Sequence, residues 1–364
     1  MTQGKSATSK AQQRASQSPH RVGVQGASKL RPLRALHNIG TVFNGAPLSG
    51  IPSESFDRLR AADTSGLPEA SFFCARDGFT LAYRHSPAAT EWITVVLHGA
   101  AGHSGHMHAL ASRIADSGAS QVCCIDLRGH GFSGEKRGFE VRYFDQMAHD
   151  VEDFIASLRS TAPPARIMLA GFSAGGGLAI RVARRLPPGD IAAFVLLAPF
   201  ISLDSPTTRP GLGGWARPNI FKIRLLAMLS HMGIRRFNNA EVVEFSLPRS
   251  ARDGYETPTW SLNTLMAFAT EDWRAELSAI QESQPTLLIA ADADECLIGE
   301  EYSALVQSRV PHAQVKMIEA CGHWDLLVAP QTAEETINWL SAVVRDRPEA
   351  GPEAGPEAGN ANSP

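Results

Sequence analysis

Residues 167–177 read Ile-Met-Leu-Ala-Gly-Phe-Ser-Ala-Gly-Gly-Gly, an apolar run that passes directly into a glycine-rich stretch. The run predicts a buried strand, and the pattern Gly171-x-Ser173-x-Gly175 predicts a sharp turn from that strand into a helix. Glycines on either side of the serine leave space where the backbone packs too tightly for side chains. Ser173 would then lie on the bend with its hydroxyl exposed, which makes it a candidate nucleophile.

Strands and helices alternate on both sides of this turn. A hairpin is predicted at 72–75 and 80–85, around Asp77-Gly78. Short apolar runs predict parallel strands buried on both faces at 93–98, 121–126, 167–171, 193–198, 286–291 and 314–318. Helical patterns lie at 107–117, 144–159, 178–186, 300–309 and 332–344. The alternation predicts the α/β class, with a mainly parallel sheet and helices on both faces.

One interval interrupts the alternation. Residues 199–283 show no strand pattern, and they contain a Pro- and Gly-rich loop followed by apolar helical segments at 220–232 and 260–277. An insertion of this length between two strands predicts a helical cap over the carboxyl edge of the sheet, where open α/β folds place their sites.

A serine nucleophile requires a general base and a carboxylate that orients the base. His323 follows the last predicted strand, so it is expected at the same edge of the sheet as Ser173. Asp292 and Asp294 both follow the strand at 286–291, and only one of them can bond the imidazole. Asp204, which follows the preceding strand, is a third and more distant candidate.

Two backbone amides are candidates for binding an oxyanion. The N–H of Ala174 comes directly after the nucleophile, and the N–H of Ala100 lies in a loop of small residues after the strand at 93–98. Histidines cluster in the same region at 98, 103, 106 and 108, but no carboxylate is interleaved and the spacing matches no zinc motif. We therefore expect no metal and no cofactor.

Five ordered motifs resemble those of α/β-hydrolases, and more narrowly those of the monoacylglycerol lipase and lysophospholipase group with a serine aminopeptidase S33-type domain. The motifs are Leu97-His-Gly-Ala-Ala-Gly-His-Ser104, Asp126-Leu-Arg-Gly-His-Gly-Phe-Ser133, Gly171-Phe-Ser-Ala-Gly175, Asp292-Ala-Asp294 and Gly322-His323. The resemblance covers roughly residues 72–345 and implies an α/β-hydrolase fold. It also implies that Asp294 is the acid of a triad with Ser173 and His323. Phe172 and Ala174 differ from the His and Met that usually flank the nucleophile in that group.

Composition and charge limit the partners. The 364 residues are 43% hydrophobic and 20% charged, as in an ordinary globular protein. Apolar runs are too short to cross a bilayer, and no secretory signal is recognisable. An odd number of cysteines, 5, favours reduced thiols, so a cytoplasmic location is predicted.

The two ends of the chain differ from its centre. Residues 1–53 carry seven Lys or Arg and no acidic residue, and no aromatic residue precedes Phe43. We therefore predict no nucleic-acid binding, and a mostly disordered basic arm at 1–70. A Pro-Glu-Ala-Gly repeat predicts a disordered tail at 347–364, which leaves 71–346 as the hydrolase domain.

These observations predict a serine hydrolase that cleaves carboxylic esters with an apolar acyl group, such as a monoacylglycerol or a lysophospholipid. An amidase, a peptidase or an acyltransferase using the same triad is the enzymatic alternative. The alternative from another class is a binding protein on a hydrolase scaffold. Small-molecule or lipid esters are the expected partners, with peripheral membrane contact through the cap or the basic arm as a further candidate.

Overall fold

An eight-stranded sheet forms the centre of the protein. The computed structural model describes residues 51–162, 165–187 and 189–346. In chain order the strands are β1 (Ala70–Cys74), β2 (Thr80–Ser86), β3 (Trp92–Leu97), β4 (Gln121–Ile125), β5 (Arg166–Phe172), β6 (Ala193–Leu197), β7 (Ala216–Pro218), β8 (Glu241–Phe245), β9 (Thr259–Ser261), β10 (Thr286–Ala291) and β11 (Gln314–Ile318). The large sheet has the order β1-β2-β4-β3-β5-β6-β10-β11, and the pairings of β2 are antiparallel while the others are parallel.

Helices connect and cover these strands. They are α1 (Asp57–Arg60), α2 (His108–Asp116), α3 (Gln146–Thr161), α4 (Ala174–Ala183), α5 (Ile220–His231), α6 (Leu262–Phe268), α7 (Trp273–Leu277), α8 (Glu301–Gln307) and α9 (Pro330–Asp346). Every residue of β3 and of β10 is buried, so both faces of the sheet are covered, as the continuous apolar runs predict. Within the described part of the chain, no helix is long and apolar enough to cross a membrane.

The predicted helix at 178–186 begins earlier, at the start of α4. Its first turn contains Gly175, Gly176 and Gly177, which are poor helix formers and gave no helical signal. Close packing explains their presence, because a Cβ on Gly177 would lie 2.3 Å from the Phe200 carbonyl oxygen. Tertiary packing at this position therefore outweighs helix propensity.

The inserted cap is not made of helices alone. Its strands β7, β8 and β9 form a separate three-stranded antiparallel sheet, which the sequence pattern did not indicate. The helix predicted at 260–277 is also divided into β9, α6 and α7. Ser261 ends the strand and caps α6 by accepting the Thr264 N–H, and Ala269 ends that helix in an extended conformation. The cap is therefore a mixed α and β unit.

Part of the segment predicted as a mostly disordered arm at 1–70 is ordered, namely residues 51–70. Phe56 is fully buried, and its ring centroid lies 4.2 Å from that of Trp324 and 5.9 Å from that of Trp215. This segment therefore packs against the cap and against the loop that carries His323. The remainder of the predicted arm, 1–50, and the predicted tail at 347–364 lie outside the described residues.

Candidate active site

Ser173 lies on a strained turn between β5 and α4. Its φ of 52° and ψ of −119° are unfavourable for a residue with a side chain. Two backbone hydrogen bonds hold the turn: the Ser173 N–H donates to the Leu197 carbonyl at 2.9 Å, and the Phe200 N–H donates to the Ser173 carbonyl at 2.8 Å. The neighbouring strand β6 thus fixes the direction of the serine side chain.

The glycines of the motif are required by the closeness of the backbone. A Cβ on Gly171 would lie 2.4 Å from the Gly175 carbonyl oxygen, and a Cβ on Gly175 would lie 2.3 Å from the Leu97 carbonyl oxygen. Both distances are shorter than any ordinary carbon–oxygen contact. The turn can therefore approach β3 only with glycine at these two positions, as the motif predicts.

A series of hydrogen bonds joins three side chains from three loops. The Ser173 Oγ lies 3.0 Å from His323 Nε2, and His323 Nδ1 lies 2.7 Å from Asp294 Oδ2. Both His323 and Asp294 are 2% exposed. The carboxylate accepts the proton on Nδ1, so Nε2 has a free lone pair that can accept the proton of the serine hydroxyl. The geometry has the form of a nucleophile, a general base and an orienting acid.

Asp294 is itself held in place by its own loop. Its Oδ1 accepts the backbone N–H groups of Cys296 at 2.8 Å and Leu297 at 2.7 Å, which leaves Oδ2 for the imidazole. The sequence left three candidates for the acid, and the structure shows that the other two make different contacts. Asp292 is exposed and accepts the N–H of Cys321 at 3.1 Å, and bonds of this kind from the backbone lower its pKa. Asp204 instead accepts from Ser202 and Trp273.

The two predicted oxyanion donors both lie beside Ser173. Ala174 is the first residue of α4, so its N–H has no partner within the helix. The loop that contains Ala100 lies close to Ser173, since a Cβ on Gly99 would be 3.1 Å from the Ser173 Cβ. Both residues therefore lie close enough to Ser173 for the predicted role, and their function as oxyanion donors stays a prediction.

His98 supports this loop, a role that the sequence patterns did not indicate. Its Nε2 accepts the Leu127 N–H at 3.1 Å, so Nδ1 carries the proton and donates to the Gly99 carbonyl at 2.8 Å. Complete burial lowers the pKa of His98 to about 4, which keeps the ring neutral at physiological pH. A neutral ring with one fixed tautomer holds the Gly99 carbonyl and thereby orients the peptide group that this carbonyl shares with the Ala100 N–H.

Aromatic side chains enclose the imidazole. The ring centroid of His323 lies 4.8 Å from that of Phe172 and 5.1 Å from that of Trp324. The loop at 98–102 is called the oxyanion loop below, after its predicted role. A narrow cavity of ≈ 20 Å³ lies beside this loop and is lined by Phe172, Trp324, Trp215 and Phe56, among others. That volume is close to the minimum that holds a water molecule. The cavity is therefore too small for an acyl chain unless side chains of its lining move.

Two histidines near the site are accompanied by carboxylates that the sequence pattern did not reveal. His103 and His106 lie in the loop after β3, and Asp253 and Glu256 of the cap bring their carboxylates to them, with the four ligand atoms within 4.8 Å of one another. His103 Nδ1 accepts the Gly105 N–H at 3.1 Å, and its Nε2 lies 3.1 Å from Asp253 Oδ2. These contacts join the cap to the loop that follows β3.

A second set of potential ligands overlaps the hydrogen-bonded series itself. Asp294, Cys296 and His323 each offer an atom within 4.8 Å of the others. Burial raises the pKa of Cys296 far above that of an ordinary thiol, which opposes formation of the thiolate that a metal binds. The expectation of a reaction without metal stays a prediction.

A family model described as serine aminopeptidase S33 matches residues 88–327, which include the turn at Ser173 and the positions of Asp294 and His323. The chain belongs to the serine aminopeptidase S33 family. Its fold is accordingly that of an α/β-hydrolase, as the motifs implied. A solved member of this fold, a soluble variant of monoglyceride lipase from Saccharomyces cerevisiae in complex with a substrate analog, superimposes with a TM-score of 0.59 at 15% identity. The match covers 78% of this chain and 98% of the yeast protein.

Curated relatives of this S33 chain include lipases and esterases. A monoacylglycerol lipase of Mycolicibacterium smegmatis is 32% identical over 30% of this chain, but the match spans only 38% of the lipase. A pimeloyl-[acyl-carrier protein] methyl ester esterase of Nitrosomonas europaea is 28% identical over 65% of this chain and 90% of the esterase. These are proteins that the chain resembles, and they place it among hydrolases.

Proposed function

We propose that this protein is a serine hydrolase that cleaves carboxylic esters with an apolar acyl group, and that Ser173, His323 and Asp294 form its catalytic triad. The observation that carries the proposal is the unbroken series of hydrogen bonds from the Ser173 hydroxyl through the imidazole to Asp294, at 3.0 Å and 2.7 Å. The names of the related lipases and esterases support an ester as the substrate.

Acylation begins when the Ser173 oxygen attacks the carbonyl carbon of the ester. His323 Nε2 takes the hydroxyl proton, and Asp294 stabilises the imidazolium that forms. The negative charge moves to the former carbonyl oxygen, where the N–H groups of Ala100 and Ala174 bind it. Loss of one such donor costs about 3 kcal/mol of transition-state stabilisation in comparable enzymes. His323 then donates its proton to the alcohol as it leaves.

Deacylation repeats these steps with water as the nucleophile. His323 takes a proton from the water, and the water oxygen attacks the acyl carbon of the acyl-enzyme. His323 then returns the proton to the Ser173 oxygen as the acid leaves. The free enzyme is thereby restored, and the cycle as a whole consumes one ester and one water. Ser173, His323, Asp294 and the two amides supply every group that this sequence of steps needs.

The surroundings of the triad favour an apolar acyl group. Phe172, Trp215 and Trp324 line the cavity beside the oxyanion loop, so an acyl chain would bury apolar area against aromatic rings. Monoacylglycerol-like or lysophospholipid-like esters combine such a chain with a polar alcohol, and the relatives include a monoacylglycerol lipase. We therefore place the substrate in this class.

A panel of p-nitrophenyl esters of increasing acyl length, with matched p-nitroanilides, tests the proposal. We expect turnover of the esters, with kcat/KM rising by roughly threefold or more for each added methylene that the site can bury, because each buried CH₂ contributes about 0.8 kcal/mol. Anilides of the same acyl groups are expected to react far more slowly.

The competing assignments give different results in this panel. Turnover of the anilides but not of the esters would assign the protein to the peptidase branch, which the family description also contains. Absence of turnover for both sets would contradict the proposed hydrolase and favour a binding protein. Ser173→Ala, assayed under the same conditions, measures the background.

The cap also has an apolar face suited to a lipid surface, which we propose as a peripheral membrane contact. Phe221, Leu225, Met228 and Met232 follow one face of α5 and its end, and they are 79%, 41%, 48% and 63% exposed. The exposed Arg224 lies on the same helix, and a basic side chain there is suited to anionic headgroups.

Sedimentation with vesicles of phosphatidylcholine and phosphatidylserine tests this contact. The double variant Phe221→Ser with Met228→Ser is expected to lower the vesicle partition coefficient by about tenfold or more, since two exposed apolar side chains are removed. Phe72→Ser serves as the matched control, because Phe72 is 57% exposed on β1, outside the cap. Equal binding by the double variant and the control would contradict the contact.

A further inference from the structure

Three carboxylates hold the backbone of the loop that carries His323. The N–H of Cys321 donates to Asp292 at 3.1 Å, and the N–H of Gly322 donates to Asp325 at 3.2 Å. The N–H of His323 itself donates to Glu295 Oε2 at 2.8 Å, the shortest of the three bonds. Three successive amides are thus bound by side chains, and the last of these bonds is made at the residue that bears the imidazole.

Glu295 fits closely against this peptide. A Cβ on Gly322 would lie 3.0 Å from Glu295 Oε1, so the carboxylate occupies the space that a side chain at position 322 would need. The salt bridges of the described residues include none to Glu295. Its carboxylate is therefore assigned to the loop of His323 and not to a neighbouring Arg or Lys.

The cap contacts the backbone of Glu295 and of the residues beside it. Arg209 Nε donates to the carbonyls of Asp294 and Leu297, each at 2.9 Å. Gly213 approaches so closely that a Cβ there would lie 1.9 Å from the Glu295 carbonyl oxygen. Glu295 therefore contacts the first loop of the cap through its backbone and the loop of His323 through its carboxylate.

The loop needs such support because its backbone is strained. Ala320 has a φ of 50°, which is unfavourable for a residue other than glycine. The imidazole must also reach two partners at once, with Nε2 at 3.0 Å from Ser173 and Nδ1 at 2.7 Å from Asp294. A shift of the His323 backbone would disturb both bonds, because the ring moves with its Cα.

We propose that Glu295 is a positioning residue for the reaction: its carboxylate binds the His323 N–H and thereby holds the imidazole between Ser173 and Asp294. This inference rests on the proposed function. It adds a residue that touches neither the substrate nor the reacting atoms. The charged acceptor makes a stronger bond to an amide than a neutral acceptor would.

Steady-state kinetics of Glu295→Ala, Glu295→Gln and the control Glu319→Ala test the proposal. Glu319 is exposed and immediately precedes the strained Ala320 of the same loop. We expect Glu295→Ala to lower kcat by about 10²-fold, the effect of misplacing a catalytic group by about 1 Å, with little change in KM. Glu295→Gln keeps an oxygen acceptor, so its kcat should fall by less than about tenfold. Glu319→Ala should match the wild type.

A spectroscopic measurement separates this proposal from the proposed function. The Nδ1 proton between His323 and Asp294 should give a low-field proton NMR signal in the wild type and in Glu319→Ala, and the signal should weaken or broaden in Glu295→Ala. This readout needs no ester. Equal signals and equal kcat in Glu295→Ala and Glu319→Ala would overturn the positioning role while leaving the hydrolase intact. A normal signal with no ester turnover by the wild type would instead overturn the proposed function.

Discussion

Ser173→Ala is expected to lower kcat for the best ester by about 10⁶-fold, the loss found when a triad serine is removed from a comparable enzyme. The reason is that no other nucleophile replaces the hydroxyl that lies 3.0 Å from His323 Nε2. KM for the residual reaction should change little, because alanine leaves the apolar cavity and the oxyanion amides in place. The residual rate should remain above that in water, since these amides still bind the developing charge.

The matched control for this variant is Ser303→Ala. Ser303 is exposed on α8, so its removal should leave both kcat and the melting temperature unchanged. Circular dichroism of Ser173→Ala should show the wild-type fold, because the substitution removes one oxygen and the strained turn is held by bonds of the backbone. Retention of more than a small fraction of kcat by a correctly folded Ser173→Ala would show that the nucleophile lies elsewhere.

Asp294→Asn should have the second-largest effect, a fall in kcat of about 10⁴-fold. An amide at this position can present its NH₂ group to Nδ1, which stabilises the tautomer whose proton lies on Nε2 and so removes the base that Ser173 needs. The substitution also removes the charge that stabilises the imidazolium. Because Oδ1 of Asp294 accepts two backbone N–H groups, the remaining amide oxygen should keep those bonds and preserve the fold.

Asp292→Asn is the control that makes this prediction specific. Asp292 lies two residues earlier on the same loop, but it is exposed and accepts the N–H of Cys321 and not the imidazole. Asparagine keeps an acceptor oxygen, so we expect at most a several-fold loss of kcat. Loss of activity in Asp292→Asn, together with retained activity in Asp294→Asn, would show that Asp292 is the acid.

Most of the large sheet was predictable because its central strands are buried on both faces. Fully buried strands such as β10 read as continuous apolar runs, so 286–291 coincides with β10. The run at 314–318 coincides with β11, but the prediction that it is buried on both faces is wrong, because β11 lies at the edge of the sheet and most of its residues are exposed. The cap sheet was not predictable in this way. Its strands β7 and β9 have three residues each, and β8 carries Glu241 and Glu244 among its apolar residues. Segments this short contain no period that distinguishes a strand from a loop.

The site, too, was predictable only in part. Ser173, Asp294 and His323 each follow a predicted strand, so their convergence at one edge of the sheet could be foreseen from order alone. Order alone could not distinguish Asp292 from Asp294, because two acids in one loop differ in where their side chains point and not in their place between the strands. The roles of His98 and Glu295 depend on single contacts with backbone groups, and the burial of Phe56 depends on Trp215 and Trp324, which are distant in sequence. Local sequence patterns do not predict such contacts.

Reaction with an alkyl fluorophosphonate tests the central claim most directly, because this reagent forms a stable covalent bond with an activated serine. Intact mass should show one adduct per chain, and tandem mass spectrometry should locate it on Ser173 in the tryptic peptide 167–181. The adduct should be absent from Ser173→Ala and from wild-type protein unfolded before exposure. A folded wild-type protein that remains unmodified, or an adduct on any other residue, would contradict the assignment of Ser173 as the nucleophile.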